Sequence, residues 1–378
     1  MNALAVTDFL LVVFAFALPL SIAATEIALG LAVVAWLLSR PWTRQAAPGV
    51  RPLAWATLAL AGAWILSSLT SGVVLVSLWK ARKLYSIVIV FIVADRLREP
   101  GKARRLVTAM FVGGLVTSVI GIVKYVIQHA AGGFDVPLTG VFSNAMTSGN
   151  VLTALTVAAL AVTLFASGDL KKPWLDRASL VVFFGSLAAT FRRGSYLGWL
   201  AGSLMLVGLR RARWMPLVPL AAALVLVLGP HEAVRRAGTI ATHSDMTAAG
   251  RISLWKSCWA AFQARPLTGW GLEDATALIE HYRRSDATFH AGHFHNNWVQ
   301  IGVTTGAVGL LAYGAWMALA GWFLFRAFRN TRSPFAAAGW GVWVAFQVFG
   351  LFDWAFGDAE VANQLFLWIG LALASGAR

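Results

Sequence analysis

The stretch Val151–Arg213, VLTALTVAALAVTLFASGDLKKPWLDRASLVVFFGSLAATFRRGSYLGWLAGSLMLVGLRRAR, decides the fold class. Apolar runs of near-bilayer length alternate in it with short clusters of cations. Lys171, Lys172 and Arg177 open the middle run, Arg210, Arg211 and Arg213 close the last, and Arg192-Arg193 fall between the two. A helix in lipid must be apolar on every outward side and must bond its own backbone, and this pattern meets both demands.

The same pattern extends in both directions. The 378 residues are 58% hydrophobic and 12% charged, with a mean hydropathy of +0.70. A soluble domain could not bury that much apolar surface. Twelve apolar runs are legible, with cores at 8–22, 25–39, 53–70, 73–94, 105–127, 145–166, 176–190, 195–209, 214–229, 298–325, 335–351 and 361–375. The expected fold is an all-α polytopic membrane protein, one membrane domain over 1–378 with about twelve transmembrane helices. Met1–Leu20 lacks a basic leading region and reads as the first span, not a cleaved signal.

The cations then orient the spans. With the N-terminus inside, each inside connection is basic, while the outside connections 129–142 and 352–360 contain no Lys or Arg. The positive-inside rule places both termini in the cytoplasm and the long connection of about 230–297 in the periplasm of a bacterial inner membrane. The net charge of +15 is therefore topological. It calls for membrane lipids as partners, not nucleic acid. A single cysteine, Cys258, excludes an internal disulfide and any CxxC metal pair.

Cations that break the rule are functional candidates, since charge near the outer leaflet costs free energy without helping topology. Lys80, Arg82 and Lys83 fall in the outer half of the fourth span, where snorkelling to headgroups is the structural alternative. Arg192 and Arg193 precede Gly194 and Ser195 at a helix start, a setting suited to phosphate. In the long connection, Ile252, Trp255, Trp259 and Phe262 recur at helical spacing beside Arg251 and Lys256. That apolar face fits a helix on the bilayer surface or one capping the bundle. Pro266 ends the helix, and Gly269 and Gly271 bracket a turn at Trp270. Then comes His290–Leu311, with His290, His293 and His295 followed by an Asn-Asn pair at the lip of the tenth span.

The ordered set Arg251, Trp255, Phe262, Pro266-Leu267, Gly269, Gly271, His295-Asn296, Gln300, Gly306 and Gly309 is similar to the signature of the O-antigen ligase and polymerase superfamily. PLSIAATEIALGLAVVAWLL (19–38), GVFSNAMTSGNVLTAL (140–155) and TFRRGSYLG (190–198) resemble further parts of that family, so the resemblance covers nearly the whole chain. It implies a class C membrane glycosyltransferase. Such an enzyme takes a glycan from undecaprenyl diphosphate at the periplasmic face and joins it to a sugar hydroxyl of the lipid A core, with neither nucleotide nor metal. It also implies His295, Arg251 and an arginine at 192 or 193 as the catalytic set. Arg193, directly before Gly194, is the favoured match.

The chemistry suits those residue types. Breaking the bond from the anomeric carbon to a phosphate oxygen needs the developing negative charge stabilised, which Arg193 and Arg251 can do. Arg192, Lys80 and Lys83 are expected to contribute to substrate binding, and Trp255 to line the site. His295 is expected to take the acceptor proton, helped by a reference His pKa of about 6.5. Asn296 and Gln300 would fix its position, and Asp353, Asp358, Glu360 or Glu26 would orient it or bind sugars. Three other readings compete. H-x-x-H-x-H could bind zinc, but its spacing matches no closed site, and no cofactor is expected. A transporter should show repeats and polar, broken helices meeting near the midplane; no internal repeat is legible, and the charged outliers gather at the outer face instead. An O-antigen polymerase or a protein O-oligosaccharyltransferase differs only in acceptor.

Overall fold

Polar caps open the helices that the apolar runs predict. The Asn2 carboxamide oxygen accepts from the Ala5 N–H (2.9 Å) to start α1 (Ala3–Ala17). Ser21 caps α2 (Ile22–Leu38). Asn144 accepts from the Met146 and Thr147 N–H groups at the head of α7 (Ala145–Phe165). Each cap satisfies donors that the first helical turn leaves unpaired. The computed structural model describes residues 2–130, 136–228, 246–272, 275–282 and 292–376, with the side chains of 224–228 and 246–252 outside that description.

Between α2 and α7 come α3 (Val50–Leu69), α4 (Val74–Ala81), α5 (Val88–Arg96) and α6 (Pro100–Ala130). After α7 follow α8 (Pro173–Ala188), α9 (Arg193–Arg211), α10 (Leu217–Leu228), α11 (Met246–Ala264), α12 (Ala275–His281), α13 (Asn297–Thr331), α14 (Pro334–Phe349) and α15 (Ala359–Ser375). No strand occurs among the described residues. Helices α3, α6, α7 and α13 are long and apolar enough to cross a membrane; α1, α2, α14 and α15 are shorter apolar helices.

The centre of the bundle is α7 with α15. Every residue of α15 from Val361 to Ser375 is buried, between α5, α7, α13 and α14. Small residues permit the close approach that association in lipid requires. A Cβ at Gly202 of α9 would meet the Gly341 carbonyl of α14 at 2.9 Å. At the end of the bundle away from the α7 N-terminus, carboxylates hold several of the basic residues. Arg44 pairs with Asp95, Arg96 and Lys102 with Asp8, and Arg104 of α6 with Asp176, the last pair only 4% exposed on each side.

Two runs that read as single spans are interrupted. The run 73–94 is split into α4 and α5 by a 3-10 stretch, Arg82–Ile87, where the Ser86 hydroxyl donates to the Lys83 carbonyl (3.0 Å). The run 298–325 breaks at Gly306, whose φ of 64 and ψ of -167 are open only to glycine. The reason for the second break is a crossing loop. Trp270 and Gly271 donate to the Val303 and Thr304 carbonyls (3.1 and 2.8 Å), and the Ala307 and Val308 N–H groups donate to Pro266 and Leu267 (2.8 and 3.2 Å). The Pro-Leu-x-Gly-x-Gly motif thus bonds groups that an unbroken α13 would pair internally. Gly269 (φ 68) rests on the Thr304–Gly306 backbone, and a Cβ at Gly306 would collide with Leu267.

Helix α11 docks by the face beside its aromatic stripe. Leu254, Cys258 and Ala261 are buried against Leu278, Ile279, Phe294 and Val303, while Trp259 is 60% exposed and stacks on Phe262. Trp255 and Phe262 flank the contact.

Candidate functional site

Four helix N-termini meet at one end of the bundle, around the loop 350–358 that joins α14 to α15. Asn296 caps α13 and also donates to the Leu351 carbonyl (3.1 Å). The Asn297 backbone N–H donates to the Gly350 carbonyl (2.7 Å), and its side-chain oxygen accepts from the Phe356 N–H (3.0 Å). From α7, the Thr147 hydroxyl donates to Asp358 (2.6 Å). From α9, Gly194 lies so close to Phe352 that a Cβ would sit 3.0 Å from the Phe352 Cβ. Each of these termini carries the positive end of a helix dipole, so together they favour an anion.

Asp353 is the hub of this loop. Its Oδ2 accepts from Asn150 Nδ2 (2.9 Å), and Asn150 Oδ1 accepts from the Ser195 hydroxyl (2.9 Å). Its Oδ1 faces His293 Nε2 at 3.8 Å and His295 Nδ1 at 3.9 Å. The Arg192-Arg193-Gly194-Ser195 segment and the His293–Asn296 segment are therefore joined through one carboxylate and one carboxamide. Arg192 lies beside Gly149, since a Cβ there would stand 3.3 Å from the Arg192 Cβ. Both arginines are half-buried. Phe191, just before them, has φ 53, and His295 has φ 51. Non-glycine residues are uncommon in this left-handed region.

The two histidines are not equivalent. His293 Nδ1 accepts from the His295 backbone N–H (3.1 Å), so the ring proton of neutral His293 belongs on Nε2. On His295 the carboxylate stands at Nδ1, which favours a proton there and leaves Nε2 as the basic nitrogen. His293, His295 and Asp353 also offer three ligand atoms within 4.8 Å of one another, close enough to share a metal ion. Imidazoles that bind metals normally donate their second N–H, whereas His293 Nδ1 is an acceptor. A metal on its Nε2 would leave that ring an anion, so the donor set fits a protonic site better.

Residues 178–314 match the family model described as O-Antigen ligase. Over that segment, about a third of the chain, the protein is similar to O-antigen ligases. No curated protein gives a significant match. The matched segment holds Arg192, Arg193, Arg251 and His295, while Lys80, Lys83, Asn150 and Asp353 lie outside it.

Beside the hub is a cavity of about 310 Å³. Lys80, Lys83, His293 and Gln300 supply its polar wall, and Trp354 and Phe356 are among its aromatic residues. Of the two histidines it is His293 that lines the cavity; His295 stands behind, with ring centroids 4.0 Å apart. Gln300 accepts from the Phe294 N–H (2.9 Å) and so fixes the residue before His295. Trp255 does not line the cavity but donates its indole N–H to the Phe294 carbonyl (3.0 Å), anchoring the same turn. His290 and the Arg251 side chain lie outside the described residues. Asn150 was not singled out from the sequence, although a carboxamide within the apolar α7 is the kind of intramembrane polar group that marks function.

Proposed function

We propose that this protein transfers a glycan from undecaprenyl diphosphate to a sugar hydroxyl of the lipid A core, at the periplasmic face of the inner membrane. The observation that supports the reading is the Asp353 hub, whose carboxylate bonds Asn150, and through it Ser195 beside the arginine pair, and stands 3.9 Å from His295 Nδ1. In the transfer, His295 Nε2 takes the proton of the acceptor hydroxyl as its oxygen bonds to the anomeric carbon. The bond from that carbon to the phosphate oxygen breaks, and its electron pair leaves with undecaprenyl diphosphate. Arg193 and Arg251, with Arg192, hold the diphosphate and offset its growing charge. Asp353 stabilises the imidazolium. No metal, nucleotide or other cofactor takes part.

The topology belongs to the same proposal: twelve spans of class C type, both termini cytoplasmic and the segment of about 230–297 periplasmic. Basic residues on the expected inside connections support it. The test is transfer in vitro from a purified lipid-linked glycan to lipid A–core. His295→Ala, Arg193→Ala and Arg251→Ala should each lower the rate by about 10²-fold or more in folded protein. Near-normal transfer by His295→Ala would overturn the mechanism. In cells, loss of a ligase leaves long glycan on its lipid carrier and a bare core, whereas loss of a polymerase leaves a core with a single repeat unit.

A further inference from the structure

The two sets of cations at the site do not share a wall. Arg192 and Arg193 reach the Asp353 loop from α9, through Gly149, Ser195 and Phe352. Lys80 and Lys83 reach it from α4 and the 3-10 stretch, and Lys83 Nζ donates to the Gly357 carbonyl (3.2 Å). Both lysines line the cavity, and neither arginine does. A transferase of the kind proposed above has two substrates to seat. One must present a diphosphate, and the other must present a hydroxyl to the base.

The chemistry of each wall separates them. Paired guanidiniums match the bidentate oxygens of a diphosphate, whereas two ammonium groups on separate turns act as point charges. The cavity is at the small end of ligand pockets, which run about 300–1,000 Å³, so it has room for the end of a saccharide and not for a polymer. Trp64, Trp79, Trp354 and Phe356 give it flat apolar faces of the sort that sugar rings cover. His293 is part of its polar wall, with its ring tilted against that of His295 (centroids 4.0 Å), so a hydroxyl bound there lies on the side of the base.

We infer that this cavity is the acceptor pocket, and that Lys80 and Lys83 select an acceptor sugar that carries a negative charge, phosphate or carboxylate. The inference rests on the glycan-transfer reading and deepens it. Its test measures binding, without transfer, to the full chain in lipid nanodiscs. The probes are lipid A–core glycolipid, the same glycolipid stripped of phosphate by hydrofluoric acid, the same with its carboxyls reduced, and undecaprenyl diphosphate.

For the wild-type chain, one of the two stripped forms should bind about tenfold more weakly or worse, the loss of a charge-assisted contact. Which one it is identifies the anion. Lys80→Gln and Lys83→Gln should lower affinity for intact glycolipid, bind the affected stripped form as the wild type does, and keep undecaprenyl diphosphate binding, which also reports their folding. Equal wild-type affinity for all three glycolipids would overturn the inference. So would a loss of undecaprenyl diphosphate binding in the lysine variants alongside unchanged glycolipid binding, since that places the lysines on the donor. Lysine-dependent glycolipid binding with no transfer from any lipid-linked glycan would sink the ligase reading alone.

Discussion

Asp353→Asn tests the hub with little change of shape. The asparagine carbonyl can still accept from Asn150 Nδ2, as Oδ2 does now at 2.9 Å. What changes is the face toward the histidines, where an NH₂ donor replaces the carboxylate oxygen that stands 3.9 Å from His295 Nδ1. A donor there favours the tautomer with Nδ1 bare and Nε2 protonated, which is the wrong one for a base. The imidazolium formed in transfer also loses its counter-charge. At that separation and an effective dielectric of about 20, the attraction is about 4 kcal/mol. The side chains are 16% and 10% exposed, which supports that dielectric over bulk water. At about 1.36 kcal/mol per decade this corresponds to a rate loss of about 10²–10³-fold, allowing for some relaxation. The assay is in vitro transfer at saturating donor and acceptor, with binding of both lipids measured in parallel. Binding should hold while kcat falls. Transfer within about threefold of wild type would refute both the tautomer argument and the assignment of His295 as base.

Other parts of the structure make further predictions. Gly306→Ala forces a side chain into a backbone region that costs about 1–3 kcal/mol, and its Cβ meets the Leu267 carbonyl of the crossing loop. Thermal unfolding followed by tryptophan fluorescence should show a large loss of stability, and an unchanged midpoint would contradict the crossing geometry. Cys258 is buried in the contact of α11 with α13, and burial pushes its thiol up to about 12. At pH 8 only about 10⁻⁴ of it is thiolate. Maleimide labelling, specific because the chain has one cysteine, should be slow in the folded protein and fast on unfolding. Fast labelling of the folded chain would mean that α11 is not docked.

Much of the site was legible in the sequence because the motifs that carry it are local. Arg192-Arg193-Gly194-Ser195 sits at a helix start, and His295-Asn296 opens α13, as their spacing implied. Pro266, Gly269 and Gly271 end α11 and form the turn at Trp270, also as read. The partner of Gly306 was not legible, since a glycine in an apolar run does not say which backbone crosses it. Nor was the docking face of α11. Trp255, Trp259 and Phe262 share a stripe, but small residues at 258 and 261 allow closer packing, so the neighbouring face is buried.

What the sequence determined by itself is the helical, apolar class of the protein, the positions of its helices and the types of residue that gather at one end of it. These follow from run length, charge placement and caps, which depend on residues a few positions apart. The tertiary structure alone decided which groups meet. Asn150 and Asp353 are 203 positions apart, and Ser67 and Thr304 are 237. Such pairs are chosen by how helices stack and where their axes break, and no local pattern records that. The same packing separated two lysines from two arginines, which the sequence had presented as a single pool of outer-face charge.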